Sequence, residues 1–396
     1  MNPATVTLKP GKDQSLRRLH PWVFSGAIGR MQGEVVEGEV VAVQAASGEL
    51  LGVGHYAPGS IAVRMLAFGP EAQLPDAAFW EEKIRNAYQL RQSLGLTGQG
   101  TTNVYRLAHA EGDGLPGLII DVYGDVAVVQ AHSAGMYKAR PLIAQALQTV
   151  VPGLRAIYDK SSETVPAKAA PGAQNGYLFG ESTGAEHIVQ ENGHPFAVDW
   201  ETGQKTGFFI DQRDNRSLLA RYAPGRRVLN TFCYTGGFSS YALMAGAELV
   251  HSVDSSKKAI ELTNRNAELT GHAGRHEAYA QDVFTFLKDR HNQYDLIVLD
   301  PPAFAKHLSA RHNALMGYKP LNVAGIKQIA PGGLLFTFSC SQVVSMELFE
   351  GAIMAAAIEA GRPARILHRL TQPADHPVSL FHPEGEYLKG LVLAVD

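Results

Sequence analysis

The chain has 396 residues, 45% of them hydrophobic and 18% charged, with a formal net charge of −3. That length corresponds to two or three domains, and that composition excludes a mostly disordered polypeptide. Lys plus Arg number 35 against 38 Asp plus Glu, which excludes a uniformly basic nucleic-acid binder and leaves RNA contact to a local patch.

Residues 1 to about 70 read as short β segments (VTLK, GEVVAVQ, ELLGVGHY, SIAVRML) punctuated by glycines, the pattern of a small barrel. The first 30 residues carry Lys9, Lys12, Arg17, Arg18 and Arg30 against one acid, Asp13. Such an asymmetry suits a rim that touches phosphates, and it equally fits a solvated face. The opening MNPATVTLKPGKDQS has no apolar signal-like run, and no stretch of about 18 apolar residues follows, so a cytoplasmic protein is expected.

From Asp76 to Leu94 apolar residues recur at helical spacing. Strands at LPGLIIDVYGD and VAVVQAH, a helix near Lys138 to Val150 and a strand at LRAIYDK complete a small central α/β unit. The Ala-, Pro- and Gly-rich stretch from Val165 to Asn192 reads as a long hairpin or surface loop. Beyond it strand and helix signals alternate: VLNTF, ELVHSVD, YDLIVLD and GLLFTFS are each followed by a helical segment. That alternation predicts a doubly wound, Rossmann-like parallel sheet, whose ligands sit at the carboxyl ends of the strands. The domains are expected at 1–72, 73–193 and 194–396.

The strand ends hold the candidate chemistry. NTFCYTGGFSS places Gly236 and Gly237 just before a helix, a loop suited to close approach of a nucleotide, without the G-x-G-x-x-G of dinucleotide binders. Asp254 closes the second strand 22 residues after Phe232, where a carboxylate can accept from ribose hydroxyls or cap the next helix. Asp282 presents the same choice between an adenine edge and a cap. In DPPAF two prolines stiffen the loop that presents Asp300. Lys306 and His307, just beyond, are candidates for contact with phosphate or the target base.

The two cysteines, Cys233 and Cys340, are too few for a disulfide scaffold or a Cys-rich zinc site. With the fourth strand between the first and fifth they stand about 10 Å apart, beyond disulfide reach. A lone cysteine most often packs as a small apolar side chain, and Cys233 is read that way. Cys340, between Ser339 and Ser341 at a strand end facing Asp300, is read as the reactive thiol.

The ordered set GQKTGFFIDQRDNR (203–216), NTFCYTGGFS (230–239), Asp254, Asp282, DPPAF (300–304) and SCS (339–341) resembles S-adenosylmethionine-dependent methyltransferases. More narrowly, it resembles the bacterial 23S ribosomal RNA large subunit methyltransferase I type, which makes 5-methylcytosine. HPWVFSGAI resembles that family's N-terminal PUA domain, an RNA-binding pseudo-barrel, and AEGDGLPGLIIDVYG its central domain.

The resemblance implies a thiolate, Cys340, adding to C6 of cytosine so that C5 becomes nucleophilic, with Asp300 assisting where charge develops provided that burial raises its pKa. It implies S-adenosylmethionine held by Lys205, Thr206, Phe209, Gln212, Arg213, Asn230, Cys233, Thr235, Gly236, Asp254, Ser255, Asp282, Val283 and Asp300. It also implies 23S rRNA held by Lys9, Lys12, Arg17 and Arg18, an extruded or unpaired target nucleotide, and a homodimer. Many RNA cytosine-C5 methyltransferases carry a second cysteine after the two prolines; here that place is Ala303, so no thiol there releases the product. Two other readings stand beside this one: methylation of a guanine nitrogen, which needs no thiol, and a non-catalytic RNA-binding assembly factor with a vestigial cofactor fold.

Overall fold

The computed structural model describes residues 3–98, 100–288, 290–304 and 311–396; Lys306 and His307 lie outside them. By contact the chain divides into two compact units. The first comprises Met1–His187, Val198–Phe208 and Ala374–Gly385, and the second Ile188–Ala197, Phe209–Pro373 and Glu386–Asp396.

In the first unit, β1 (Ala4–Leu8), β2 (Trp22–Phe24), β3 (Ile28–Gln32), β4 (Val40–Gln44), β5 (Leu50–Tyr56) and β6 (Ile61–Phe68) form one sheet in the order β2-β6-β5-β4-β1-β3. The short helix α1 (Gln14–Arg17) buries Leu16 beside Val6, Val41 and Val63. Helix α2 (Ala77–Ser93) starts where the Asp76 carboxylate accepts the Phe79 N–H at 2.8 Å, and turns Trp80, Ile84 and Ala87 inward. A second sheet runs β11-β10-β9-β8-β7, made of β7 (Val104–His109), β8 (Leu118–Tyr123), β9 (Val126–Ala131), β10 (Ala156–Asp159) and β11 (Gly176–Phe179). Helix α3 (Ala134–Val150), capped by Ser133, packs into the same apolar cluster as α2. The Val165–Asn192 stretch is not a single hairpin: β11 pairs with β10, while β12 (His187–Glu191) pairs with β13 (His194–Val198).

The second unit is built on seven strands. After α4 (Arg213–Tyr222) come β14 (Arg227–Thr231), α5 (Gly237–Met244), β15 (Leu249–Asp254), α6 (Lys257–Leu269), β16 (His276–Ala280), α7 (Val283–Leu287) and β17 (Tyr294–Leu299). Then follow α8 (Arg311–Gln328), β18 (Ile329–Ser339), α9 (Met346–Ala360), β19 (Ala364–Leu370) and β20 (Lys389–Val395). Strand order is β16-β15-β14-β17-β18-β20-β19, with β14, β15, β16, β17 and β18 parallel and β20 antiparallel to both neighbours.

The near-continuous apolar run of β17 has its reason here. Ile297 and Leu299 enter the cluster with Tyr318 and Phe349, while Leu296 and Val298 enter the opposite one with Phe238 and Leu243. A strand covered on both faces cannot alternate apolar with polar. β17 lies between β14 and β18 as expected, and the order reverses between β14 and β17, the crevice where such sheets bind ligands. The antiparallel closing pair β19–β20 was not legible in the alternating strand and helix signals. No helix among the described residues is long and apolar enough to cross a membrane.

Candidate active site

β14 ends at Thr231, and Phe232, Tyr234 and Gly236 follow with φ of 52°, 47° and 75°. Two of these left-handed residues carry side chains, at a cost of roughly 1–2 kcal/mol each. The turn is pinned at Tyr234: Asp254 Oδ2 accepts its N–H at 3.1 Å, and the Thr263 hydroxyl donates to its carbonyl at 2.7 Å. A Cβ on Gly236 would stand 2.8 Å from Thr263 Cγ2, so glycine is required where the loop enters α5. The Phe209 ring meets Tyr234 edge-on at 5.0 Å.

Asp254 does not cap α6. Ser256 does, accepting the Ala259 N–H at 3.3 Å, while Asp254 Oδ1 accepts the Ser256 N–H at 2.9 Å. Asp282 caps α7 through the Thr285 N–H at 2.9 Å, Val283 is buried in the core beside it, and Ser255 is exposed. Asn230 is buried and donates to Ser239 Oγ at 2.9 Å; the Thr235 carbonyl accepts from Asn266 at 2.8 Å. Cys233 packs at 7% exposure against the Thr263 hydroxyl, and burial pushes its thiol up to about 12.

At the neighbouring strand end, Gln212 Nε2 donates to Asp300 Oδ2 at 3.0 Å, and Asn215 Nδ2 donates to Gln212 Oε1 at 2.7 Å, so the amide cannot flip without losing both bonds. Cys340 Sγ lies 3.9 Å from the carbonyl oxygen of Pro301, the residue after Asp300. Tyr318 sets these two strand ends against each other. Its hydroxyl lies 2.9 Å from both Ser339 Oγ and Ser341 Oγ, the serines flanking Cys340, and its ring packs on Phe304 of the DPPAF loop at 4.8 Å. Burial pushes the Tyr318 phenol up, so it stays a neutral donor.

Segment 203–216 is divided between the units. Lys205 and Thr206 belong to the first, where the buried Thr206 hydroxyl donates to Asp121 Oδ2 at 2.6 Å and accepts from Tyr123 at 2.9 Å. Phe209, Gln212 and Arg213 belong to the second. There Arg216 forks onto Glu191 at 2.9 and 2.8 Å, with Arg213 3.7 Å from the same carboxylate. Burial disfavours the Arg216 charge, but Glu191 holds its pKa above the ordinary value. Arg216 Nη1 also donates to the Phe209 carbonyl at 2.9 Å, fixing the backbone of the 203–216 run in place.

Of the basic N-terminal residues, Lys12 and Arg18 are exposed, and Lys9 Nζ donates to the Gly26 carbonyl at 3.0 Å. Arg17 is engaged by Asp13 at 2.6 Å and Glu49 at 2.5 Å. Its charge is therefore answered within the domain. His20, His382 and Glu384 bring ligand atoms within 4.8 Å of one another, yet His20 Nδ1 accepts the Trp22 N–H at 3.2 Å. Its proton then sits on Nε2, directed toward Glu384, which is a hydrogen-bonding rather than a metal-ligating tautomer.

The PUA-like domain family matches residues 6–68 and the S-adenosylmethionine-dependent methyltransferase family residues 149–377. Fold and site thus define a class I methyltransferase with a PUA-like domain, and S-adenosylmethionine is its cofactor. A methyltransferase solved in complex with SAH superposes with a TM-score of 0.83 at 23% identity, covering 100% of both chains. The Ribosomal RNA large subunit methyltransferase I of Aeromonas hydrophila is 42% identical over 396 residues, covering 98% of this chain and 99% of that one. Its namesake from Escherichia coli is 40% identical over 395 residues, with 98% and 99% covered. The chain belongs to the ribosomal RNA large subunit methyltransferase I family.

Sequence reasoning did not single out Tyr318, Glu191, Arg216 or Lys389. Arg216 falls inside the quoted 203–216 segment, which was a signal. Tyr318 and Lys389 stand alone in their helix and strand, and only the tertiary fold brings them to Cys340.

Proposed function

We propose that this protein methylates C5 of a cytosine in 23S ribosomal RNA, with Cys340 as the attacking thiol. The observation that carries the reading is the juxtaposition of Cys340 with the Asp300–Pro301 turn, Sγ to carbonyl 3.9 Å, on two adjoining parallel strands. S-adenosylmethionine supplies an electrophilic methyl group, to which C5 of an unactivated cytosine is a poor nucleophile. The thiolate adds to C6, making C5 enamine-like; loss of the C5 proton later re-forms the double bond and expels the thiol. Asp300, steadied by the Gln212–Asn215 pair, is the polar group available to the pyrimidine edge as charge develops there.

The cofactor's chemistry fits the β14 and β15 ends. The carboxylate of Asp254 suits ribose hydroxyls, the Gly236 turn allows close backbone approach, and the exposed Asp282 beside the buried Val283 suits an adenine. Phe209, Gln212, Arg213, Asn230, Thr235 and Ser255 complete the proposed cofactor set in the second unit. Lys9, Lys12 and Arg18 form the proposed phosphate-facing rim in the cytoplasmic enzyme.

Mass spectrometry of 23S rRNA methylated in vitro by wild type and Cys340→Ala tests this. The expected product is 5-methylcytosine from wild type alone. Methyl transfer retained by Cys340→Ala, or a methylated guanine, overturns it.

A further inference from the structure

The thiol chemistry needs a thiolate at neutral pH, and a cysteine of ordinary pKa near 8.5 supplies only a few per cent. Lys389 is buried at 3% exposure, a place lysine almost never takes without a partner. It opens β20, where its backbone is the register partner of Ser339, and its Nζ reaches past the strand end to donate to the Ser341 carbonyl at 3.0 Å. The ammonium thus sits at the carbonyl of the residue that follows Cys340. The group that accepts its hydrogen bond is a neutral carbonyl, and Glu386 exerts a favourable field on it. A buried cation kept without a close anion is costly unless another negative charge compensates it.

We infer that Lys389 is a positioning residue whose ammonium stabilises the Cys340 thiolate, so that the nucleophile is charged before RNA arrives. The inference rests on the assignment of Cys340 above. Lys389 keeps its own proton in this role, and the thiol proton passes to solvent.

Burial pushes the Lys389 pKa down, while Glu386 and Cys340 oppose that change. Among the described residues, Cys340 acts electrostatically on Lys389 of β20 and on Tyr318 of α8, and the Pro301 carbonyl oxygen lies 3.9 Å from its Sγ. Tyr318 is neutral, whereas the Lys389 ammonium favours the thiolate.

The test is the pH profile of Cys340 alkylation by iodoacetamide in the full-length protein, followed by peptide mass spectrometry so that Cys233 is read separately. Wild type is expected to titrate at least one pH unit below an ordinary thiol, and Lys389→Met to raise that midpoint by one unit or more, about a tenfold loss of thiolate at pH 7. Lys389→Arg, which keeps the charge, is expected to restore most of the reactivity. A wild-type midpoint at the ordinary thiol value overturns the inference whether or not the variants fold, as does an unchanged midpoint in folded Lys389→Met. The two readings separate cleanly. Methyl transfer by Cys340→Ala removes the proposed function and leaves the alkylation result standing, whereas an ordinary thiol in an enzyme that needs Cys340 removes only the role of Lys389.

Discussion

Gly236→Ala probes the loop between β14 and α5 with a single methyl group. Gly236 has φ of 75°, and an added Cβ would sit 2.8 Å from Thr263 Cγ2 and 3.3 Å from its Cβ and Oγ1. Left-handed backbone costs an alanine about 1–2 kcal/mol. Thr263 is β-branched, stiff at χ1 and 1% exposed, so it has little room to yield. Moving it breaks the 2.7 Å bond from its hydroxyl to the Tyr234 carbonyl, a further loss of about 0.5–1.5 kcal/mol.

The total, about 1.5–3.5 kcal/mol, divides between two observables. If the loop keeps its shape, the cost falls on folding and the urea midpoint drops with unchanged m. If the loop relaxes, the cost falls on S-adenosylmethionine affinity, where 2 kcal/mol is about 30-fold in Kd. Urea denaturation and isothermal titration calorimetry on the same preparation measure both. An alanine variant with wild-type midpoint and wild-type Kd would refute the reasoning, since the strain would then have been nowhere.

Glu191→Ala leaves Arg216 buried beside Arg213 and removes the acceptor of the Tyr241 hydroxyl at 3.0 Å, so unfolding free energy should fall by about 3–5 kcal/mol in urea titrations. Asp254→Asn can keep one acceptor oxygen where the carboxylate offers two, and calorimetry should show cofactor affinity weakened by about tenfold or more. His55 is pushed down to about 4 by burial, so between its unfolded value of 6.5 and that pH the unfolded chain holds more protons and stability falls as pH falls. Going from pH 7 to pH 5 should cost about 2 kcal/mol through this group, and the stability difference between wild type and His55→Phe should shift by that amount. Arg17→Ala should weaken RNA binding less than Arg18→Ala, because Asp13 and Glu49 already occupy the Arg17 guanidinium; filter binding across a salt series checks the order.

Much of the catalytic sheet was legible because its strands are covered on both faces and therefore spell uninterrupted apolar runs, as in YDLIVL. The strand-end residues were legible for the same reason: once the runs are placed, Asp254, Asp300 and Cys340 fall at one edge. The closing pair was hidden because β19, ARILHRL, is exposed along most of its length and reads as a polar segment. Asp282 caps α7, one of the two roles that the sequence left open for it. Arg17 shows the limit of counting charge, because the acid that answers it, Glu49, lies 32 residues away in sequence. Thr206 lies in the 203–216 segment, and nothing in the sequence shows that its hydroxyl bonds to Asp121 and Tyr123.

The order β18-β20-β19 has a consequence for how the enzyme comes into being. β20 follows both of its neighbours in the chain yet lies between them, so β18 remains an open edge, able to pair with any passing strand, until residues 389–395 slot in. Insertion of that strand is the same event that delivers Lys389 to the Cys340 turn. Under the role proposed for Lys389, a chain arrested one step short of native would lack the cation at the Cys340 turn, so the thiol would stay unactivated until the sheet is sealed.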